Sequence, residues 1–388
     1  MLNFTLHMPT TIHFGRDKIK MLDGELSKHA KKILFLYGQG SIKKYGIYEQ
    51  VITRIQNTTI PFFELAGVQP NPRLSLVYKG IEICRKESID FILAVGGGSV
   101  IDTAKAIAAG VLYDGDVWDF YIAHSGPPKA LPIGTVLTLA ATGSEMNGNS
   151  VITNEFTKEK CACSSPMLIP SFSILNPEYT FTVDPTNTAA GIADIMAHIF
   201  EYYLSPVPHA AVQDRLAEGL LKVCLTYGPI AYKRPKNYDA RANIMWGSSL
   251  ALNGLIGKGK ISDWTCHAIE HELSGLYDIP HGIGLAILIP NYMKVFLSEE
   301  TMPNFVACGI NVFGIDKNES PHTIVDETIQ KTRTFFNSLG LPATLNELNI
   351  TDKYFATIVR NTLKRRGKVG HHRQLSKEDI LNILKLSL

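Results

Sequence analysis

Apolar residues recur in two rhythms along this chain, and the rhythm changes near residue 185. In the first half, short unbroken apolar runs end in glycine. Ile33–Tyr37 runs into Gly38-Gln39-Gly40, and Phe91–Val95 runs into Gly96-Gly97-Gly98. Helix-like stretches follow each, one to about Ile55 and one from Val100. Pro132–Leu137 and Phe172–Leu175 read as further strands. A strand that is apolar on both faces is covered on both faces, so strands of this kind alternating with helices predict a parallel sheet between helical layers. The segment Phe4–Phe14, partly alternating and carrying Pro9, predicts an edge hairpin or an ordinary edge strand; such an edge could pair across a dimer.

After Pro185 the period becomes helical. Thr188–Leu204, Ala210–Tyr227, Ala240–Leu255 and Ser262–Leu276 place apolar residues three and four apart, and strand-like alternation nearly vanishes. We therefore expect two domains, an α/β domain over 1–184 and an all-helical domain over 185–388, divided at Asp184-Pro185. A length of 388 residues exceeds one comfortable core, which agrees with this division. A ligand site is expected in the cleft between the two.

Composition removes several classes of function. The formal net charge is only +2, and no basic stripe with interleaved aromatics occurs, so a nucleic-acid partner is not expected. The short cluster Lys364, Arg365, Arg366, Lys368 reads as a solvated face or loop. Six scattered cysteines without a Cys-x-x-Cys pair point to a reduced, cytoplasmic protein. Residues Met1–His7 lack a signal peptide's basic region and apolar run, and no apolar run reaches membrane-spanning length, so no membrane partner is expected.

Gly96-Gly97-Gly98-Ser99 lies between a predicted strand and a predicted helix. Glycine permits close backbone approach to a phosphate and positive φ. The helix beyond offers unpaired N–H groups and a positive dipole, and Ser99 adds a hydroxyl. The plainer alternative is a tight turn with no ligand, but the carboxyl end of a parallel strand is where open α/β sheets bind ligands. Gly38-Gln39-Gly40-Ser41 is a weaker signal, with Lys43 at the third glycine position. Its value lies in what surrounds it. No acid occurs before Glu49, and Lys43 and Lys44 follow, a composition that tolerates a 2′-phosphate and points to NADP(H). Thr138–Asn147 is small, hydroxyl-rich and follows a predicted strand; it could face a ribose or diphosphate, or simply cap a helix through Thr142 or Ser144.

The second half concentrates metal-ligating residues. Asp194 and His198 stand four apart on a predicted helix, hence on one face, with Glu201 on the same face. His267 and His271 repeat the spacing, and His281 follows directly after Pro280. A chain of twelve histidines thus places three within fifteen positions. A carboxylate with imidazoles suits Fe²⁺, Zn²⁺ or Ni²⁺, and an open coordination position would polarise an alcohol or carbonyl oxygen. Counting alone does not say which histidines are ligands. His271-Glu272 lacks the second histidine of the zinc-protease pattern, so a protease is rejected.

Taken together, Gly96–Lys105, Thr142-Gly143-Ser144-Glu145, Asp194-x-x-x-His198 and His267-x-x-x-His271 through Pro280-His281-Gly282 resemble the iron-containing alcohol dehydrogenase family over nearly the whole chain. The stretch Tyr37–Lys44 is similar to that of its NADPH-dependent butanol dehydrogenases and broad-specificity aldehyde reductases, which usually have glycine where Gln39 stands. The resemblance implies a Rossmann-like N-terminal domain, a helical C-terminal domain and the dehydroquinate synthase-like architecture. It implies Asp194, His198, His267 and His281 as metal ligands, and His271 as a proton relay near the nicotinamide. It implies Gly97, Gly98 and Ser99 on the pyrophosphate, Asp102 toward the nicotinamide end, and Thr138, Thr142 and Ser144 along the cofactor. Lys160 and Tyr179 match positions close to the cofactor, and Gly38 and Ser41 match the turn that meets the 2′-phosphate. A small alcohol or aldehyde substrate and a homodimer follow as expectations. The competing readings are a metal-dependent lyase or cyclase of the dehydroquinate synthase type, which needs a strongly basic substrate pocket, and a nucleotide- or metal-binding protein without turnover.

Overall fold

The structure is a computed structural model that describes residues 1–123, 125–366, 369–371 and 373–388. Of the basic cluster, Lys364 is exposed, and the side chains of Arg365, Arg366 and Lys368 lie outside the described residues. The chain forms two compact units. One comprises His7–Val183 and Pro235–Ser249; the other comprises Met1–Leu6, Asp184–Arg234 and Leu250–Leu388.

The first unit is built on a six-stranded, wholly parallel sheet. In chain order its elements are β1 (Thr11–Phe14), α1 (Leu22–His29), β2 (Ile33–Gly38), α2 (Ser41–Lys44), α3 (Ile47–Asn57), β3 (Phe62–Val68), α4 (Leu74–Glu87), β4 (Phe91–Gly96), α5 (Gly98–Val111), α6 (Asp119–Ile122), β5 (Ile133–Leu137), β6 (Asn149–Asn154), β7 (Glu159–Ser164) and β8 (Phe172–Leu175). The strand order is β1-β8-β5-β4-β2-β3. The apolar runs seen in the sequence are its central strands. Alternate residues serve opposite faces, as a pleat requires. Phe35, Phe91, Leu93 and Val95 pack under α1 and α3 with Leu26, Val51 and Ile55. Leu34, Leu36, Ile92 and Ala94 pack under α4 and α5 with Val77, Ile81, Ile101 and Ala104. Both faces are covered, so no strand needs a polar side.

The expected N-terminal hairpin does not form. Only Thr11–Phe14 is a strand, and it pairs parallel with β8, so the plainer edge-strand alternative holds. A two-stranded antiparallel hairpin, β6–β7, stands apart from the main sheet and packs on α5.

The second unit is helical. It contains α7 (Pro185–Tyr203) and α8 (Ala211–Lys233), then α10 (Thr265–Tyr277), α11 (His281–Phe296), α12 (Met302–Asn311), α13 (Pro321–Ser338), α14 (Phe355–Arg366) and α15 (Lys377–Leu386). Between them α9 (Tyr238–Leu252) lies mostly in the Pro235–Ser249 segment that clusters with the sheet. Asp184 starts α7: its carboxylate accepts the Asn187 N–H at 2.9 Å, and Pro185 occupies the first turn, where a missing N–H costs nothing. Helices α7, α10 and α11 are buried nearly all round, with α11 packed against both of the others, which marks them as the interior of the unit. No described helix is long and apolar enough to cross a membrane.

Candidate metal centre and nucleotide-binding turn

Asp194 and His198 face the same side of α7, one turn apart. His267 and His271 do the same on α10, and His281 opens α11 directly after Pro280. A close helix contact brings α11 to these side chains. A Cβ on Gly282 would lie 2.0 Å from the carbonyl oxygen of Ala190, so only glycine lets the first turn of α11 lie against α7. His281 Nε2 consequently sits 3.7 Å from Asp194 Oδ1. His267 Nε2 lies 3.8 Å and His198 Nδ1 3.5 Å from the same oxygen. The His198 and His267 rings stack at 4.6 Å between centroids, and the Trp264 ring stands edge-on to both.

The donor set fits a divalent ion. Asp194 Oδ1, His198 Nδ1 and His267 Nε2 are buried and make no hydrogen bond. Leaving three such atoms unpaired is costly, unless a cation takes their lone pairs. Asp194, His267 and His281 already place one ligand atom each within 4.8 Å of one another. Electrostatics agrees at His198 and Asp194, whereas at His267 it favours a proton that a bound metal would displace. Burial pushes the His198 pKa down to about 3, so its imidazole is neutral, the ligating form. Burial pushes Asp194 upward, but His198, His267 and His281 outweigh it and hold the carboxyl below the ordinary carboxylate range. His267 is raised: burial lowers it, but Glu201 and Asp194 act more strongly in the other direction.

Two carboxylates stand behind the histidines, as partners that spacing along the chain does not reveal. Glu201 accepts from His267 Nδ1 and from the Cys266 N–H. Glu270 accepts from His281 Nδ1 and from the Ser274 hydroxyl. Neither carboxylate is exposed to solvent. Such a bond fixes the tautomer, turns the other ring nitrogen toward the centre and raises its basicity. The available signal was an acid at a buried position of an apolar helix. Glu201 shares the Asp194 face, whereas Glu270 lies beside His271 in sequence and meets His281 only through the fold. His271 is buried, with its ring 5.4 Å from His281 and 6.4 Å from His267.

In the sheet unit, Gly97 precedes α5 at the carboxyl end of β4. None of Gly96, Gly97 and Gly98 has positive φ, which corrects one expected reason for glycine there. Close approach is the other reason, and it holds for the protein's own chain: a Cβ on Gly98 would lie 2.4 Å from Thr142 Oγ1. Thr138 donates its N–H to the Gly96 carbonyl at 3.0 Å, so the Thr138–Thr142 segment flanks the glycine turn. No α-helix follows for Thr142 or Ser144 to cap; a short 3₁₀ turn, Ser144–Met146, takes its place.

Asp102 and Ser144 are buried and bonded to each other, Ser144 Oγ donating to Asp102 Oδ1 at 2.6 Å. Ser99 is half-buried in the first turn of α5. Lys160 is buried on β7 opposite Thr153, and the Tyr179 hydroxyl donates to Gln50 Oε1 at 2.8 Å. Gly38 ends β2, and Ser41, exposed, starts α2. Lys43 Nζ lies 4.4 Å from the Tyr48 ring centroid. The exposed Glu64 on β3 accepts from the Tyr37 and Tyr48 hydroxyls at 2.7 Å each, placing a carboxylate beside β2 where the linear sequence showed none.

A parallel sheet with a glycine turn is joined in one chain to a helical unit with clustered metal-ligating side chains, which defines a metal-binding protein with an α/β and a helical unit. Family models agree: residues 9–177 match "Iron-containing alcohol dehydrogenase" and residues 188–388 match "Fe-containing alcohol dehydrogenase family, C-terminal". The chain is 49% identical to the NADH-dependent butanol dehydrogenase A of Clostridium acetobutylicum, covering 100% of both. It is 37% identical to the NADPH-dependent aldehyde reductase of Escherichia coli over 90% of each. The crystal structure of NADH-dependent butanol dehydrogenase A from Thermotoga maritima superposes with a TM-score of 0.96 at 40% identity, covering 100% of this chain and 99% of that one. The chain belongs to the iron-containing alcohol dehydrogenase family.

Proposed function

We propose that this chain reduces a small aldehyde, of the size of butanal, to its primary alcohol with NADP(H), and runs the reverse oxidation. The observation that carries this is that Asp194, His267 and His281 each place a ligand atom within 4.8 Å of the others, with His198 Nδ1 3.5 Å from Asp194 Oδ1. Asp194, His198, His267 and His281 would hold the ion, Fe²⁺ in the first instance, with Zn²⁺ or Ni²⁺ accepted by the same donors. A divalent ion there supplies a Lewis acid for a carbonyl or alcohol oxygen. Glu201 and Glu270 keep His267 and His281 in ligating orientation. His271, buried beside them, delivers or accepts the proton that accompanies hydride transfer.

The residues 1–184 act as the dinucleotide-binding domain and 185–388 as the metal-binding domain. Gly97, Gly98 and Ser99 hold the diphosphate through backbone N–H groups and the helix dipole of α5. Thr138 and Thr142 flank that turn. Asp102, Ser144, Lys160 and Tyr179 complete the cofactor side, the first two through the loop they bind together. Gly38 and Ser41 meet the adenine ribose, and Lys43 and Lys44 favour a 2′-phosphate. The protein works as a cytoplasmic homodimer on a freely diffusing substrate.

A second reading, NADH in place of NADPH, has specific support: the exposed Glu64 carboxylate beside β2, and the NADH-dependent name of the Clostridium acetobutylicum relative at 49% identity. A carboxylate there would bind a ribose 2′-hydroxyl and repel a phosphate. Butanal-dependent loss of NADPH and of NADH, followed in parallel on metal-loaded enzyme, decides between them. A higher kcat/KM with NADPH supports the first reading, and a higher value with NADH the second. No loss of either, with several aldehydes, would defeat both.

A further inference from the structure

Helix α5 buries an ammonium in the middle of its apolar face. From Val100 to Gly110 every residue is buried, and Lys105 has no exposure at all. A buried lysine is expensive unless its charge is fully bonded. Here Nζ donates to the carbonyls of Ser144 at 2.8 Å, Asn147 at 2.9 Å and Asn149 at 2.7 Å, and it also reaches Ser144 Oγ at 2.8 Å and Asn147 Oδ1 at 3.3 Å. All of these acceptors lie in one stretch of chain, between β5 and the start of β6.

The contacts continue back to the glycine turn. Asn147 Nδ2 donates to the Gly143 carbonyl at 2.9 Å and the Thr142 carbonyl at 3.4 Å. Thr142 in turn fills the space that a side chain at residue 98 would need. Asp102, one turn earlier on α5, takes the Ser144 hydroxyl on one oxygen and the Val151 N–H at 3.0 Å on the other. The loop thus hangs from the same helix whose first turn begins at Gly98.

We propose that Lys105 is a positioning residue for the dinucleotide: by gathering the carbonyls of Ser144, Asn147 and Asn149 it fixes Thr138–Asn147 against Gly97–Ser99, making the two segments one rigid diphosphate cradle. Lys105 has no exposed surface and acts only through the loop. The inference rests on the proposed cofactor reading and extends it to a residue with no expected role. Burial pushes the Lys105 pKa down to about 8, with Asp102 and Glu145 opposing, which marks a charge kept at a cost to the fold.

ADP-ribose is the test ligand, because it carries the diphosphate without nicotinamide and needs no metal. Its Kd is measured by calorimetry on metal-loaded wild type, Lys105→Met and Asn147→Ala, well below each melting temperature. Metal content reports that the helical unit is intact. Wild type binds. Lys105→Met raises the Kd tenfold or more with unchanged metal content, and Asn147→Ala shifts it in the same direction by less. Kd values for NADH and NADPH rise by the same factor as that for ADP-ribose. Should Lys105→Met not fold, Asn147→Ala carries the test alone. Wild-type affinity in the folded variants overturns the positioning role while leaving the cofactor reading intact. A wild type that binds neither ADP-ribose nor either dinucleotide overturns both.

Discussion

Glu270 accepts from His281 Nδ1, and this bond turns the opposite ring nitrogen to within 3.7 Å of Asp194 Oδ1. The carboxylate is wholly buried and lies on a different helix from the imidazole it orients. Glu270→Gln keeps the shape but removes the charge that makes the imidazole a better donor. Metal affinity is expected to fall by roughly 10–100-fold, the usual cost of removing such a partner. Competition against a chromophoric chelator with Zn²⁺ measures it, and an unchanged affinity would show that Glu270 only fills space. Glu201→Gln should behave alike through His267.

Gly282→Ala tests the helix contact that assembles the centre. The new Cβ would meet the Ala190 backbone carbonyl at 2.0 Å, and neither backbone can yield without parting α7 from α11. Overpacking of this kind costs roughly 1–3 kcal/mol. A lower melting temperature together with lost metal is expected. A variant that is less stable yet binds metal normally would mean that His281 does not depend on this contact.

Removal of the ion should destabilise the helical unit, because Asp194 Oδ1, His198 Nδ1 and His267 Nε2 then stay buried without hydrogen bonds. An ion present at about 100 times its Kd stabilises the native state by roughly 2.7 kcal/mol. Differential scanning calorimetry before and after chelation, then with metal restored, reads the effect. A melting curve indifferent to chelation would count against a resident ion.

His271→Ala separates proton delivery from metal binding. Turnover should fall by roughly 10²–10⁴-fold, the range for general acid–base groups, while bound metal remains near wild type. If the variant turns over butanal like wild type, the relay lies elsewhere.

Lys105 also sets a pH dependence. Its pKa is about 8 in the folded protein against 10.5 as the ordinary value. Between these values the unfolded chain binds more protons, so the stability contribution of this residue rises with pH. Below about 8 the penalty for burying the charge is present in full, and it fades as pH approaches 10.5. Asp102, Glu145 and Cys163 are the titratable groups that face it. Denaturant midpoints of wild type and Lys105→Met at pH 7.5 and 10 should therefore shift in favour of wild type at the higher pH. Parallel midpoints at both values would refute the shift.

Much of the fold and of the site is legible in the chain itself. The unbroken apolar runs Ile33–Tyr37 and Phe91–Val95 could only be strands covered on both faces, and they lie at the centre of the parallel sheet. Asp194 with His198, and His267 with His271, share helix faces because a four-residue step is one turn. Other features were hidden because their cause is not local. The strand Phe62–Val68 is interrupted by Glu64 and Gly67, so neither period marks it clearly. The β6–β7 hairpin lies beyond the Thr142–Asn147 loop, and it packs on α5, a contact between segments far apart in the chain. Glu270 adjoins His271 in the chain, yet its bond is to His281, eleven residues away on another helix.

The sequence alone determined the two rhythms, the helical pairs of ligands and the glycine turn, since each follows from the geometry of one element and the side chains it carries. Tertiary structure decided what those parts do together. Gly282 against Ala190 seats α11 on α7 and sets His281 beside the Asp194 carboxylate, and Lys105 draws a distant loop onto its own helix. Both depend on distances between residues far apart in the chain, which helix and strand periodicities do not encode.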